Sequence, residues 1–273
     1  MGVRRGIRVG VIGVGKMGEA IVKGLLASRR FRPADVRVAD KDTARSGYVS
    51  ETYGVAAEAS NRDLVKKVDV CVLAVKPQDI ETAIEGIRGV VPKQCLIVSI
   101  VAGITTGWLQ DRLGQGTKVV RAMPNAAALV GMAATGLVCG AEVTPKDAER
   151  ARSIFDCLGT TILVRDEDHL NVITGLSGSG PAYVFLLLEA LVDAGVYLGL
   201  SREVSVALCA KTLQGAAEMA VRLETPVPLL KEMVTSPGGT TMAGLRVLEE
   251  GKFRGTVLAA VEAATRRSRE LAR

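Results

Sequence analysis

Aromatic residues are scarce: one Trp, four Tyr and four Phe make up 3% of the 273-residue chain. Nucleic-acid binding wants a basic face, usually with stacking aromatics, so no nucleic-acid partner is expected. The net charge of +6 is a mild excess spread along the chain. Its densest cluster, Arg266, Arg267, Arg269 and Arg273, reads as a solvated helix end. Cysteines are few as well. Cys71, Cys95, Cys139, Cys157 and Cys209 are odd in number, widely spaced and set in apolar runs, with no C-x-x-C pair. Neither a disulfide framework nor a metal site is expected. The opening MGVRRGIRVGVIG lacks the long apolar stretch and cleavage site of a secretory leader. The most apolar window, Ala182 to Leu200, carries Glu189 and Asp193 and makes a poor membrane span. A reduced, soluble, cytoplasmic protein with no membrane association is the expectation. The single histidine, His169, sits beside Asp166, Glu167 and Asp168 and reads as a surface residue in an acidic turn.

Glycine, by contrast, is plentiful: 30 residues, about 11% against the usual ~7%. In the first half, short β-branched runs alternate with helical stretches. The runs are Arg8–Ile12, Val36–Ala39, Val70–Val75, Leu96–Val101 and Lys118–Met123. Nearly continuous apolar strands are expected where helices cover both faces of a parallel sheet, and the alternation predicts βαβ units. Two further strands, near Ala133–Cys139 and Thr161–Val164, flank a helix that starts with Thr144 as N-cap and Pro145 at N1. After about Arg165 strand signals stop, and four or five helical segments follow. The predicted fold is therefore a Rossmann-type α/β dinucleotide-binding domain over 1–165 and an all-helical domain over 166–273. The helical half is too apolar to hide its side chains within a small bundle, which predicts homodimerisation through it.

Gly13-Val14-Gly15-Lys16-Met17-Gly18 follows the strand RVGVI and opens a helix. In that context G-x-G-x-x-G is a strong dinucleotide signal. The first glycine permits the tight turn, the second lets backbone approach the pyrophosphate, and the third allows close helix–strand packing. Asp40 ends the second strand, 22 residues past Gly18, where an acid reads the adenosine ribose. That favours the free diol of NADH. Lys41 and Arg45 stand next to it and suit a 2′-phosphate, so NADH and NADPH both remain open. Ala74-Val75-Lys76-Pro77 closes the fourth strand and points a lysine toward the ligand crevice.

Two later segments are more specific: VITGLSGSGPAYV over Val172–Val184 and TSPGGTTMAG over Thr235–Gly244. With IGVGKMG, AVKP and RAMPN (Arg121–Asn125), the chain resembles the pyrroline-5-carboxylate reductases, with the motifs in order from about residue 7 to 270. The resemblance implies reduction of the cyclic imine 1-pyrroline-5-carboxylate to L-proline, the last step of proline biosynthesis, with NADP or NAD as cofactor. It implies a Rossmann domain followed by a helical dimerisation domain, and in many members assembly to a decamer. Carried onto this sequence, it implies cofactor contacts from Gly13 through Gly18 and from Ala74, Lys76 and Pro77. The segment Ser99–Gly103, with Ala102, and the loop with Met123 and Asn125 would also lie near the cofactor. Here that loop reads Met123-Pro124-Asn125-Ala126-Ala127, without the second proline common in the family. The substrate would be held by Ser236, Gly238, Gly239, Thr240 and Thr241.

The chemistry agrees with the residues. A cyclic imine arrives protonated as an electrophile, so hydride transfer requires orientation and exclusion of water more than a strong catalytic acid. Ser236–Thr241 precedes a helix and can offer converging amides to a carboxylate. Thr241 and Ser236 are the catalytic candidates. Thr241 is read either as a hydrogen-bonding partner of the ring nitrogen or as the N-cap of the helix at Met242. Gly175–Gly180 reads as a flexible stretch that opens the long helix at Pro181, with Ser177 and Gly178 at the floor of the substrate pocket. Alternatives are a β-hydroxyacid dehydrogenase or general imine reductase, and a non-catalytic NAD(P)H-binding protein. The hydroxyacid enzymes need a lysine on the long helix, and Pro181–Leu200 has none.

Overall fold

The computed structural model describes residues 6–272. Two compact units are present: residues up to Ser179 together with those from Ala263 on, and Gly180–Glu262.

In the first unit, β1 (Val9–Ile12), α1 (Lys16–Ala27), β2 (Val36–Ala39), α2 (Thr43–Tyr53), β3 (Ala56–Ala57), α3 (Asn61–Val65) and β4 (Val70–Leu73) form the first βαβαβ half. Then come α4 (Ile80–Glu85), β5 (Leu96–Ser99), α5 (Thr106–Leu113), β6 (Lys118–Met123), β7 (Ala133–Cys139), α6 (Pro145–Phe155), β8 (Gly159–Leu163) and α7 (His169–Ile173). The eight strands lie in the order β3-β2-β1-β4-β5-β6-β7-β8. All pairs are parallel except β6–β7. Chain order reverses between β1 and β4, and such a switch point opens a crevice beyond the strand ends.

The apolar runs divide by strand periodicity. Val9, Val11, Val36, Val38, Val70, Val72, Leu96 and Val98 pack with Ile21, Leu25 and Phe155 on one face of the sheet. Ile12, Cys71, Leu73, Ile97 and Val119 pack with Leu64, Ile80, Ile84 and Leu109 on the other. Burying each such side chain contributes roughly 1.5–3 kcal/mol, and both faces are covered, which is why the central strands β1 and β4 carry no charged or hydroxyl side chain. Local signals set the helix starts. Asp42 caps α2, Ser60 caps α3 and Thr105 caps α5. Thr144 and Asp147 form a reciprocal capping box with Pro145 at N1 of α6.

Three features depart from the sequence reading. Compactness divides the chain after Ser179 rather than near Arg165, because α7 packs on β6 and β7 and buries Leu170 with Met123 and Val138. The stretch expected to be a flexible opening is instead a π-helical turn, Thr174–Gly178, closed by the Ser179 amide donating to the Thr174 carbonyl at 2.8 Å. It runs directly from α7 into the long helix α8 (Gly180–Tyr197). The two-residue strand β3 was not foreseen.

The second unit continues with α9 (Arg202–Arg222), α10 (Val227–Met233), α11 (Thr240–Glu250) and the start of α12 (Phe253–Leu271). Here α8 packs on α9, and a methyl at Gly195 would meet Ser205 Oγ at 2.6 Å. Among its described residues only Val192, Ser205 and Leu230 are buried. Phe185, Leu186 and Tyr197 are 65%, 68% and 89% exposed. The 29 helical residues His169–Tyr197 are long and apolar enough, by composition alone, to cross a membrane, with a mean hydropathy of 1.4 in the best window. The last turns of α12 belong to the first unit. Ser268 Oγ donates to Asn171 Oδ1 at 2.8 Å, and Arg269 Nε donates to Asp168 Oδ1 at 2.8 Å.

Candidate active site

The loop between β1 and α1 is built as its glycines require. Gly13 has φ +90°, a left-handed conformation, and a methyl there would lie 2.8 Å from the Ala74 carbonyl oxygen. A methyl at Gly18 would come to 2.0 Å from the Gly13 carbonyl oxygen, so only glycine lets α1 pass so close to the turn. Gly15 differs: nothing lies within 4 Å of a methyl built there. It stands at the N-cap of α1 with no side-chain capping bond. The first amides of α1 therefore face a space that no side chain among the described residues fills, as a pyrophosphate requires.

That space belongs to a cleft of about 390 Å³ at the switch point, lined by Ile12, Gly13, Gly15, Asp40, Lys41, Asp42, Arg45, Asn61, Ala74, Val75, Lys76, Asp79, Thr82 and Ala83. Of the residues expected at the cofactor, Gly13, Gly15, Asp40, Lys41, Ala74, Val75 and Lys76 are brought together in its wall. Val14 and Gly18 are buried behind the loop, Lys16 and Met17 begin α1, and Pro77 starts a short 3₁₀ turn after β4. Asn61, Asp79 and Thr82 are wall residues that sequence reasoning missed. The first two start or precede short helices, a placement legible only once the strand order is known.

Asp40 is partly occupied. The Val14 amide donates to its Oδ2 at 2.7 Å and the Asp42 amide to its Oδ1 at 3.0 Å. Lys41 Nζ donates to Asp79 Oδ1 at 2.7 Å, a contact that raises the Lys41 pKa. Arg45 Nε donates to the Val14 carbonyl at 2.7 Å, and its guanidinium pairs with Glu19. Burial pushes the Glu19 carboxyl up, but hydrogen bonds from Arg45 and Tyr53 prevail and hold it below its ordinary value.

The later strand ends carry the remaining first-unit candidates. Ser99 is fully buried and accepts from the Val101 amide at 3.2 Å, while Ala102 is exposed at the turn. Met123 is buried against Val138 and Leu170. Asn125 donates through Nδ2 to the Ser177 carbonyl at 2.9 Å and accepts at Oδ1 from the Ala134 amide at 3.3 Å. It thereby ties the Met123–Asn125 loop to the π-turn that holds Ser177 and Gly178. Arg121 is 1% exposed and pairs with Glu167 at 3.1 Å, leaving Nε and Nη2 without a hydrogen-bond partner among the described residues. His169 is exposed, as the acidic-turn reading had it.

In the second unit, Gly238 has φ +68° and the Gly239 amide donates to the Ser236 carbonyl at 3.0 Å. Helix α11 begins at Thr240 with Gly239 as N-cap and no side-chain capping bond. Thr241 is thus not the cap. The first amides of α11 carry no side-chain cap, the kind of helix start that can receive an anion.

A mostly parallel sheet with a glycine-rich turn at its switch point and an open helix N-terminus defines a dinucleotide-dependent oxidoreductase fold. Residues 167–271 match the family model for pyrroline-5-carboxylate reductase dimerisation, and residues 8–103 match that for NADP oxidoreductase, coenzyme F420-dependent. A pyrroline-5-carboxylate reductase of Mycobacterium tuberculosis is 42% identical, over 97% of this chain and 96% of its own length. One from Arabidopsis thaliana is also 42% identical, over 97% and 95%. The solved enzyme from Coxiella burnetii superposes with a TM-score of 0.94 at 38% identity, covering 98% of this chain and 100% of that one. The Plasmodium falciparum enzyme, solved with NADP bound, gives 0.87 at 32% identity, with all of both chains covered. This chain belongs to the pyrroline-5-carboxylate reductase family.

Proposed function

We propose that the chain reduces 1-pyrroline-5-carboxylate to L-proline at the expense of NADH or NADPH, the closing step of proline biosynthesis. The near-full-length likeness to reductases of that name carries the reading. The open glycine cradle supports it on physical grounds.

Gly13 to Gly18 and the start of α1 hold the pyrophosphate, with Ala74, Val75, Lys76, Pro77 and Ala102 along the crevice and Asp40 and Lys41 at the adenosine end. Met123 and Asn125 bound the nicotinamide end. When bound, the reduced coenzyme supplies a hydride. The substrate enters as an iminium, so its ring carbon accepts the hydride while the nitrogen keeps its proton and gains the former π pair. The protein's part is to orient and to exclude water. Amides of Gly238 and Thr240 with the hydroxyls of Ser236 and Thr240 grip the carboxylate, and Gly239, whose own amide closes the turn onto the Ser236 carbonyl, lets it approach. Thr241 hydrogen-bonds the ring nitrogen, and Ser177 and Gly178 floor the pocket. The first unit chiefly serves the cofactor, and the second, Gly180–Glu262, chiefly serves substrate and dimer.

The exposed apolar faces of the second unit meet a second copy of the chain, and dimers associate further into a decamer. The compartment is the cytoplasm, with neither membrane nor nucleic acid as partner. The test is coenzyme oxidation with pyrroline-5-carboxylate beside 2-hydroxy and 3-hydroxy acids. Turnover only with the imine is expected; equal or faster turnover of the hydroxy acids overturns the assignment. The absence of any lysine from α8 already disfavours a β-hydroxyacid dehydrogenase.

A further inference from the structure

We propose that this chain takes NADH in preference to NADPH, because the cations at the end of β2 that would meet a 2′-phosphate are already held by carboxylates or carbonyls. The inference rests on the cleft being the coenzyme site. A 2′-phosphate adds a strongly charged group rich in acceptor oxygens, and it needs free cations or amides. Lys41 is held by Asp79 at 2.7 Å. Arg45 is held twice, by the Val14 carbonyl at 2.7 Å and by Glu19. The amides of Ala44 and Arg45, the second and third residues of α2, already donate to Asp42 Oδ1 at 3.0 and 3.3 Å. The Asp42 amide itself is taken by Asp40.

Acceptors, by contrast, are in surplus. Asp40, Asp42 and Asp79 all line the wall. Each Asp40 oxygen receives one backbone amide and keeps acceptor capacity for a ribose hydroxyl. The same carboxylate that welcomes a diol repels a phosphate. Lys76 also lines the cleft, but it follows β4, on the opposite side of β1 from β2.

The two cations are not held equally firmly. Lys41–Asp79 is a solvent-exposed pair, cheap to open. Arg45 sits in a partly buried network in which the Tyr53 hydroxyl also donates to Glu19, at 2.9 Å. Asp40 and the Arg45 network therefore set the preference, and Asp79 adjusts it.

Calorimetric titration of the substrate-free protein with NADH and with NADPH tests this. NADH is expected to bind at least about tenfold more tightly. Asp40→Ser should close most of that gap. Because this change also removes the acceptor for the Val14 amide, Asp79→Asn serves as a second variant, freeing Lys41 and narrowing the gap about threefold. Equal affinities, or tighter NADPH binding, in the wild-type protein overturn the preference and leave the coenzyme reading standing. Binding of neither dinucleotide to folded protein overturns both.

Discussion

The two units use the same kinds of apolar residue to opposite ends. In the first, Val, Ile and Leu on both sheet faces reach zero exposure, each side chain enclosed by helices of its own chain. In the second, α8 carries Phe185 and Leu186 largely in the open, and only three described residues of the whole unit are buried. An apolar run thus announces that burial will occur, not which chain will supply the cover. The first unit completes its core with itself. The second completes its core, on our reading, with a second copy.

The largest test of that contrast is to charge the exposed face. Phe185→Asp with Leu186→Asp should dissociate the dimer in sedimentation velocity and lower activity more than about 100-fold, since each side chain is worth ~1.5–3 kcal/mol when covered. A variant that remains dimeric and active would return those side chains to solvent and dissolve the contrast. A milder pair compares the functions of the two units. Gly15→Ala has room within the protein, so its melting temperature should stay within about 2 °C while dinucleotide affinity falls about tenfold. Thr241→Ala should do the reverse in kinetic terms, lowering kcat about 10–100-fold with coenzyme affinity unchanged. If both variants lost only affinity, the division of roles would fail.

Acid gives the smallest effect and concerns the first unit. Burial pushes the carboxyls of Glu58 and Asp147 up, but Lys67 and Arg37 around the one, and Lys118 and Thr144 around the other, hold both below their ordinary values. Hydrogen bonds from Arg8 do the same to Asp69. A folded pKa below the unfolded one gives stability that is present above the unfolded pKa and is lost as pH falls through the folded one. Urea midpoints should therefore fall as pH drops below about 4. Asp147→Asn should cost about 1 kcal/mol at neutral pH and nothing once both states are protonated, near pH 2 or lower. An equal cost at every pH would assign Asp147 to packing alone.

Much of this was legible in the sequence, and the gaps have physical reasons. The strands other than β3, the glycine turn and the cap at Thr144 depend on local rules, and they fall where the residues put them. The antiparallel pairing of β6 and β7 could not be read, because direction depends on the whole connection rather than on either strand. Gly175 to Gly180 looked flexible by composition. Yet Leu170 and Ile173, packed against β7 beside Gly136, fix the preceding turn, and the backbone continues as helix. The candidate site divides the same way. Gly13 and Gly15 were visible as a motif. The occupation of Lys41 by Asp79, 38 positions away, depends on β2 and β4 flanking β1.

The bond between Asp168 and Arg269 joins positions 101 residues apart. During synthesis the nucleotide-binding half can form its sheet early, but its final clasp must wait until the ribosome has delivered the whole helical region that separates the two partners. Until then the patch around Asp168 and Asn171 stays uncovered, so a nascent chain interrupted within the helical region leaves the α/β half folded but unlatched.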